Sequence, residues 1–301
     1  IHWHGIRLRN AADGVPGMTQ DPVTPGKKFV YEFTAPDPGT YFFHPHVGAQ
    51  LDRGLYAPLV IDDPHEPGTY DAEWIVVLDD WVDGTGRTPD DVLKKLIADG
   101  GPATTSGMGG MGGMDHGSHG GAVLPPWGDA GDVIYPHFLI NGKVPASPDT
   151  LTAKPGQRVR LRIINAASDT IFSVALGDHR MTLTHTDGHA VIPQEVGAFY
   201  IGMGERYDAI VTLKDGVFPL VARPFGKTSG GQALALVRTG NGSVPGPDVS
   251  LTELNGTVLL GSELKPAEAS RLPAKAPDAT AQLTLEGSMQ PYQWGMNGAP
   301  F

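Results

Sequence analysis

The sequence predicts an all-β protein, and three observations lead there. Among 301 residues, 41 are glycine and 27 proline, which breaks the chain into short segments joined by turns. Between the breaks stand runs such as Glu73-Trp74-Ile75-Val76-Val77-Leu78, rich in residues that favour a pleated, half-buried surface. Long runs of helix formers are few, and two short strings, His2-Trp3-His4 and His44-Pro45-His46, carry paired imidazoles at strand spacing. A chain of this length holds about two domains.

The elements follow in order. Strands are expected over 1–9, 28–34, 39–44 and 57–62, the third ending in the second histidine pair. The acidic, proline-bearing Asp62-Asp63-Pro64-His65-Glu66-Pro67 reads as an exit from the first domain. After the run at 73–78 comes one short helix: Thr88 caps it, Pro89 takes its first position, Asp90 and Asp91 fill the first turn, Lys94 and Lys95 lie late and Gly100 ends it. Further strands are expected over 158–165, 170–176, 181–186, 206–212, 218–223 and 233–238. The stretch 241–279, rich in Pro, Gly, Ser and Ala, reads as a linker. Phe138-Leu139-Ile140-Asn141-Gly142-Lys143 recurs 156 residues later as Trp294-Gly295-Met296-Asn297-Gly298-Ala299, an interval of domain size. The division expected is therefore 1–66 and 67–240, a linker at 241–279, and the start of a third domain at 280–301.

The formal charge of −11 argues against nucleic acid or an anionic membrane as partner. No apolar run reaches the length of a transmembrane helix. Cysteine is absent, which excludes disulfides, thiol catalysis and any blue-copper centre built on a thiolate within these residues.

On a strand, His2 and His4 face one way, and two such pairs side by side present four nitrogens to a metal cluster. Neutral imidazole suits copper, zinc, iron and nickel alike, so the histidines alone do not name the metal. The context does. His2-Trp3-His4-Gly5 is followed by Ala12-Asp13-Gly14, Gln20-Asp21-Pro22, Pro25-Gly26-Lys27 and Phe29-Val30-Tyr31-Glu32-Phe33. Pro38-Gly39-Thr40-Tyr41 then leads into Tyr41-Phe42-Phe43-His44-Pro45-His46. This order resembles the first two copper-binding motifs of multicopper oxidases, the family of laccases and cuprous oxidases. A zinc hydrolase would continue its first pair with an acidic residue and a histidine, where Gly5-Ile6-Arg7 stands here.

The resemblance implies tandem cupredoxin-like Greek-key β-sandwiches, copper as cofactor, and electrons passed from Cu(I) or small phenolic reductants to O₂. By the same resemblance His2 binds a lone type 2 copper, while His4, His44 and His46 bind a type 3 pair. Asp13 assists proton delivery to reduced oxygen, whereas its plain alternative is a turn aspartate before Gly14. The family's remaining ligands, its type 1 copper site among them, are expected beyond Phe301, and strands of the first domain before Ile1. The chain would then be part of a longer, exported protein, inactive by itself. The middle domain would be copper-free, with His185 and His189 as turn or core residues and Arg206 and Asp208 as structural ones.

One low-complexity stretch, 107–121, carries Met108, Met111 and Met114 followed by His116 and His119. Thioether and imidazole ligands suit both copper oxidation states, and the stretch resembles the methionine-rich insertions of copper-resistance oxidases. It is read as a transient copper site, which moves the expected reductant toward Cu(I) and the role toward copper tolerance. Two other classes remain open: a protein that sequesters copper without electron transfer, and a cupredoxin-fold structural protein of the cell envelope.

Overall fold

The computed structural model describes residues 1–66, 68–99, 130–289 and 291–300. The histidine strings lie in a three-stranded antiparallel sheet made of β1 (His2–His4), β2 (Gly39–His44) and β3 (Ala57–Ile61), in that order. Aromatic residues make β2 a strand, and its Tyr41 and Phe42 are buried. β1 is shorter than the 1–9 expected because Gly5 turns the backbone to φ 83°, a left-handed conformation open chiefly to glycine. The strand expected over 28–34 does not form. A strand needs a hydrogen-bonded neighbour, and among the described residues none lies beside this segment. Val30 is accordingly 82% exposed, while Tyr31 and Phe33 pack with their rings 5.5 and 5.1 Å from that of Trp3 and Phe29 rests on Tyr31 at 4.7 Å.

Next comes a sandwich of two six-stranded sheets. Its elements are β4 (Ala72–Trp81), α1 (Pro89–Asp99), β5 (His137–Ile140), β6 (Asp149–Thr152), β7 (Arg158–Asn165), β8 (Phe172–Leu176), β9 (Met181–Thr186), β10 (His189–Val196), β11 (Ala198–Ile201), β12 (Arg206–Thr212), β13 (Val217–Pro224), β14 (Ala233–Arg238) and β15 (Val258–Leu259). One sheet runs β10-β9-β12-β7-β4-β5 and the other β15-β11-β8-β13-β14-β6. Three pairings are parallel, β4 with β7, β14 with β6 and β11 with β15, so the chain crosses between sheets rather than meandering. Leu78, Ile140, Leu161 and Ile163 of the first sheet meet Phe172, Leu176, Phe199 and Leu220 of the second in a closed core. The helix starts as expected, with the Thr88 hydroxyl accepting from the Asp91 amide and the Asp91 carboxylate accepting from the Thr88 amide in return.

The outer face of β4, β7 and β12 is covered by the histidine sheet. Phe42 and Tyr56 pack on Val77, Ile164 and Ala166. Beside this apolar patch lies a buried ionic cluster. The Asp208 carboxylate accepts from Arg160 Nη2 at 2.7 Å, from Arg162 Nη1 at 3.4 Å and from the Thr40 hydroxyl at 2.6 Å. Arg162 also donates to Thr40 Oγ1 at 2.9 Å and to Glu73 at 2.8 Å, and Arg160 pairs with Glu66. Arg160, Arg162 and Asp208 are each 3% exposed or less, so the charges survive burial by answering one another. Along the same face the Tyr56 hydroxyl donates to Asp79 at 2.6 Å, and burial pushes that carboxyl well above the usual range, with Asp80 beside it adding repulsion. Asp80 itself, pushed up to about 7 by burial, accepts from the amides of Ser168 and Asp169 and from the Thr170 hydroxyl.

The repeated Asn-Gly strings take the same conformation. Asn141 and Asn297 both have φ 51°, each followed by a glycine of positive φ. Asn141 Oδ1 accepts from the Val77 amide, and Asn297 Oδ1 from the Thr284 amide, both at 2.8 Å. The second copy belongs to a small sheet of β16 (Leu285–Met289), β17 (Tyr292–Met296) and β18 (Ala299–Pro300). The segment 241–279 is not an open tether. Leu251 and Leu254 are buried against Val221 and Leu234, and β15 extends the second sheet, so composition concealed two anchoring leucines.

Candidate metal centre

The register of β1 and β2 builds the site. His2 stands opposite His44, Trp3 opposite Phe43 and His4 opposite Phe42, so His2, His4, Phe42 and His44 share one face of the sheet. That face is the one turned to the sandwich. Ring centres of His2 lie 5.6 Å from His4, 5.3 Å from His44 and 5.0 Å from His46, and His44 lies 5.0 Å from His46. One nitrogen each from His2, His4 and His44 falls within 4.8 Å of the others. His46 follows the end of β2 and closes the group from the side of His2. Trp3 and Phe43 point to the opposite face and pack together, ring centres 5.6 Å apart.

Hydrogen bonds settle which nitrogen each ring offers. His2 Nδ1 is 2.9 Å from the Asp13 carbonyl oxygen, which can only accept, so Nδ1 carries the proton and Nε2 keeps its lone pair. His44 Nδ1 meets the Pro45 carbonyl at 3.1 Å, with the same result. His44 Nε2 in turn lies 3.0 Å from His4 Nδ1. His4 stacks on Phe42 at 4.6 Å between ring centres and 26° between planes.

Burial pushes His4 down to about 3, with Arg206 and the neighbouring histidines adding to the effect. His44 is pushed down to about 4, again chiefly by burial, against the opposing bond to the Pro45 carbonyl. His46 moves the same way, through burial and the nearness of His2. These rings are neutral near neutral pH, and a cation taking the facing nitrogens of His4 and His44 displaces their mutual contact and the proton shared in it. Clustered neutral imidazoles whose outer nitrogens are tied to carbonyls fit copper well.

Asp13 sits where the sequence suggests, after the 3-10 turn Asn10–Ala12. Besides its carbonyl, its carboxylate lies 3.4 Å from His2 Nδ1 and is 37% exposed. Met108, Met111, Met114, His116 and His119 lie outside the described residues. His185 belongs to no cluster of three metal-binding groups among the described residues: its Nδ1 is 3.1 Å from Thr184 Oγ1 and 3.9 Å from the Asp208 carboxylate, and His189 is exposed. The residues that sequence reasoning missed are on the sandwich. Asn165, Ala166, Ala167, Ser168 and Met203 form, with Leu51, His4, Phe42 and His44 of the histidine unit and Gly204 of the sandwich, a cavity of about 220 Å³ over the histidines. No motif announces them, because they reach the site only through the packing of two separate units.

Comparison with known proteins agrees with this geometry. Residues 1–66 and 73–242 each match a family model described as multicopper oxidase. The chain is 48% identical over 303 residues to a multicopper oxidase, MmcO, of Mycobacterium tuberculosis, covering all of this chain and 58% of that protein. It is 34% identical to a copper resistance protein A homolog of Pseudomonas syringae, over 76% of this chain and 41% of that one. Among solved structures, Fet3p, a multicopper oxidase that functions in iron import, superposes with a TM-score of 0.74 at 21% identity, over 95% of this chain and 50% of its own. A laccase from Botrytis aclada superposes with a TM-score of 0.69 at 25% identity, over 99% of this chain and 53% of its own. The chain thus spans about half the length of the relatives it matches. With the histidine sheet and the sandwich both matched and folded as in those relatives, the chain belongs to the multicopper oxidase family.

Proposed function

We propose that this chain supplies half of an oxygen-reducing copper centre, and that the full-length protein oxidises Cu(I) and small phenolic reductants with O₂ as acceptor. For cuprous ion the balance is four Cu(I), one O₂ and four protons giving four Cu(II) and two waters. The observation that carries this reading is the convergence of His2, His4, His44 and His46 with the outer nitrogens of His2 and His44 engaged by carbonyls. Copper held there supplies one-electron redox chemistry. His2 and His44 present Nε2, and the sandwich wall over His4 and His44 restricts water. The relatives named for copper resistance support a role in copper tolerance. Among the described residues no helix is long and apolar enough to cross a membrane. With no cysteine in the chain, the thiolate of a type 1 copper, through which electrons enter, belongs to the rest of the full-length protein.

Asp13 carries protons to the reduced oxygen, because its carboxylate reaches from solvent to the His2 ring. The bond that orients His2 comes from the Asp13 backbone, so Asp13→Asn leaves the ligand in place. The full-length Asp13→Asn protein is expected to keep its copper and to be reoxidised by O₂ about 100-fold more slowly, the deficit growing as pH rises and free protons become scarce. Stopped-flow reoxidation with copper counted in the same samples is the measurement. Lost copper would make Asp13 a builder of the site, and an unchanged rate an ordinary turn residue.

The methionine-rich stretch serves copper supply rather than oxygen chemistry. Oxygen uptake by the copper-loaded full-length protein tests this and the function together. Wild type consumes O₂ with both Cu(I) and a phenol, whereas replacement of Met108, Met111 and Met114 by leucine weakens the first and spares the second. Equal loss of both at unchanged copper content rejects the supply role. Copper binding with no oxygen uptake by wild type points instead to sequestration.

A further inference from the structure

We propose that the turn 202–206 of the sandwich is the positioning element for His4, with Gly204 as the contact that fixes the ring. The proposal rests on the copper-site reading above. The His4 imidazole stacks on the Phe42 ring, and its Cε1–Nε2 edge lies against Gly204. A Cβ at position 204 would stand 2.7 Å from His4 Cε1 and 3.0 Å from Nε2, closer than packed atoms approach. With Nε2 against this wall, Nδ1 is the nitrogen left to face His44. Any push at the wall moves that nitrogen.

The turn cannot easily give way. The Gly204 amide donates to the Asn165 carbonyl at 2.9 Å, the Asn165 amide donates to the Glu205 carbonyl at 3.1 Å, and the Gly202 amide donates to the Glu205 carboxylate at 2.6 Å. One guanidinium then ties the turn to the histidine sheet. Arg206 Nη1 donates to the Gly204 carbonyl and to Asp187, both at 3.0 Å, while its Nε donates to the Thr40 carbonyl of β2 at 3.2 Å. Gly5, the residue after His4, lies against the same guanidinium, where a side chain would overlap it. Arg206 therefore fixes Gly204 relative to both strands that carry the ligands, and a unit with no ligand of its own in the cluster sets the aim of one.

The test uses the full-length protein and two glycines of like backbone. Gly204 has φ +79° and Gly156 φ +83°, so alanine strains both alike, but a Cβ at Gly156 meets nothing within 4 Å. Copper affinity is measured by chelator competition, and the bound copper by ultraviolet and visible absorption, with thermal midpoints recorded on the copper-free proteins to show that both variants fold. Gly204→Ala is expected to bind copper about 10- to 100-fold more weakly and to show an altered spectrum, while Gly156→Ala matches wild type in both. Wild-type affinity and spectrum in Gly204→Ala would overturn the proposal, as would an equal loss in Gly156→Ala. If Gly204→Ala fails to fold, Arg206→Lys loosens the clamp without adding atoms. An altered copper spectrum in that variant supports the proposal, and an unaltered one overturns it. Absence of copper binding by wild type would instead remove the copper-site reading itself.

Discussion

Asp208→Ala is expected to destabilise the folded chain by about 3–5 kcal/mol, the cost of leaving buried guanidinium groups without their carboxylate. Arg160 and Arg162 converge on this one side chain, and both are 3% exposed, so no solvent can replace it. Thr40→Val removes only a neutral hydroxyl from the same cluster and should cost about 1 kcal/mol. Urea unfolding of the two variants beside wild type measures both. Equal midpoints for Asp208→Ala and wild type would mean that the arginines find other acceptors, with Glu66 and Glu73 the nearest candidates.

His44→Ala in the full-length protein is expected to remove the stabilisation that copper confers through the histidine cluster. A ligand that binds only the folded state adds about 2.7 kcal/mol at a hundred times its dissociation constant. His44 lies between His4 and His46 and contacts His2, so its loss opens the group at its centre. Copper should raise the thermal midpoint of wild type more than that of His44→Ala, which keeps the type 1 site alone, while oxygen turnover falls to background. A retained copper-dependent shift with normal turnover would show that the metal sits elsewhere. His185→Ala serves as comparison, since that ring lies against Thr184 and Asp208 and should leave the copper response intact.

Much of this was legible in the sequence, for reasons that differ by element. β7, β9, β12 and β14 form over the residues expected because each is bounded by turn residues and either alternates apolar with polar side chains, as β7 and β9 do, or is largely apolar, as β14 is. The histidine strings were legible because a strand places alternate side chains on one face whatever it packs against. What escaped notice depends on partners. β10 carries Pro193 and a shifted register between Ala190 and Gln194, so its pattern is polar and irregular although it pairs with β9 at the sheet edge. The segment 28–34 has a strand's composition and no neighbour to pair with. Arg160 and Arg162 look like surface charges until the histidine sheet covers them. The closeness of Gly204 to His4 exists only after two units pack.

The inward face of β2 has a further consequence. Thr40, Phe42 and His44 alternate along that face. The first is bonded to Asp208, the second is seated on Val77 and Ile164, and the third is among the imidazoles. A slip of one residue would turn Tyr41 and Phe43 inward and send every ligand of this strand to the other side. The hydroxyl of Thr40 thus acts as an index pin. By locking into the arginine-aspartate cluster at one end of the strand, it dictates which side chain arrives at the metal site at the other.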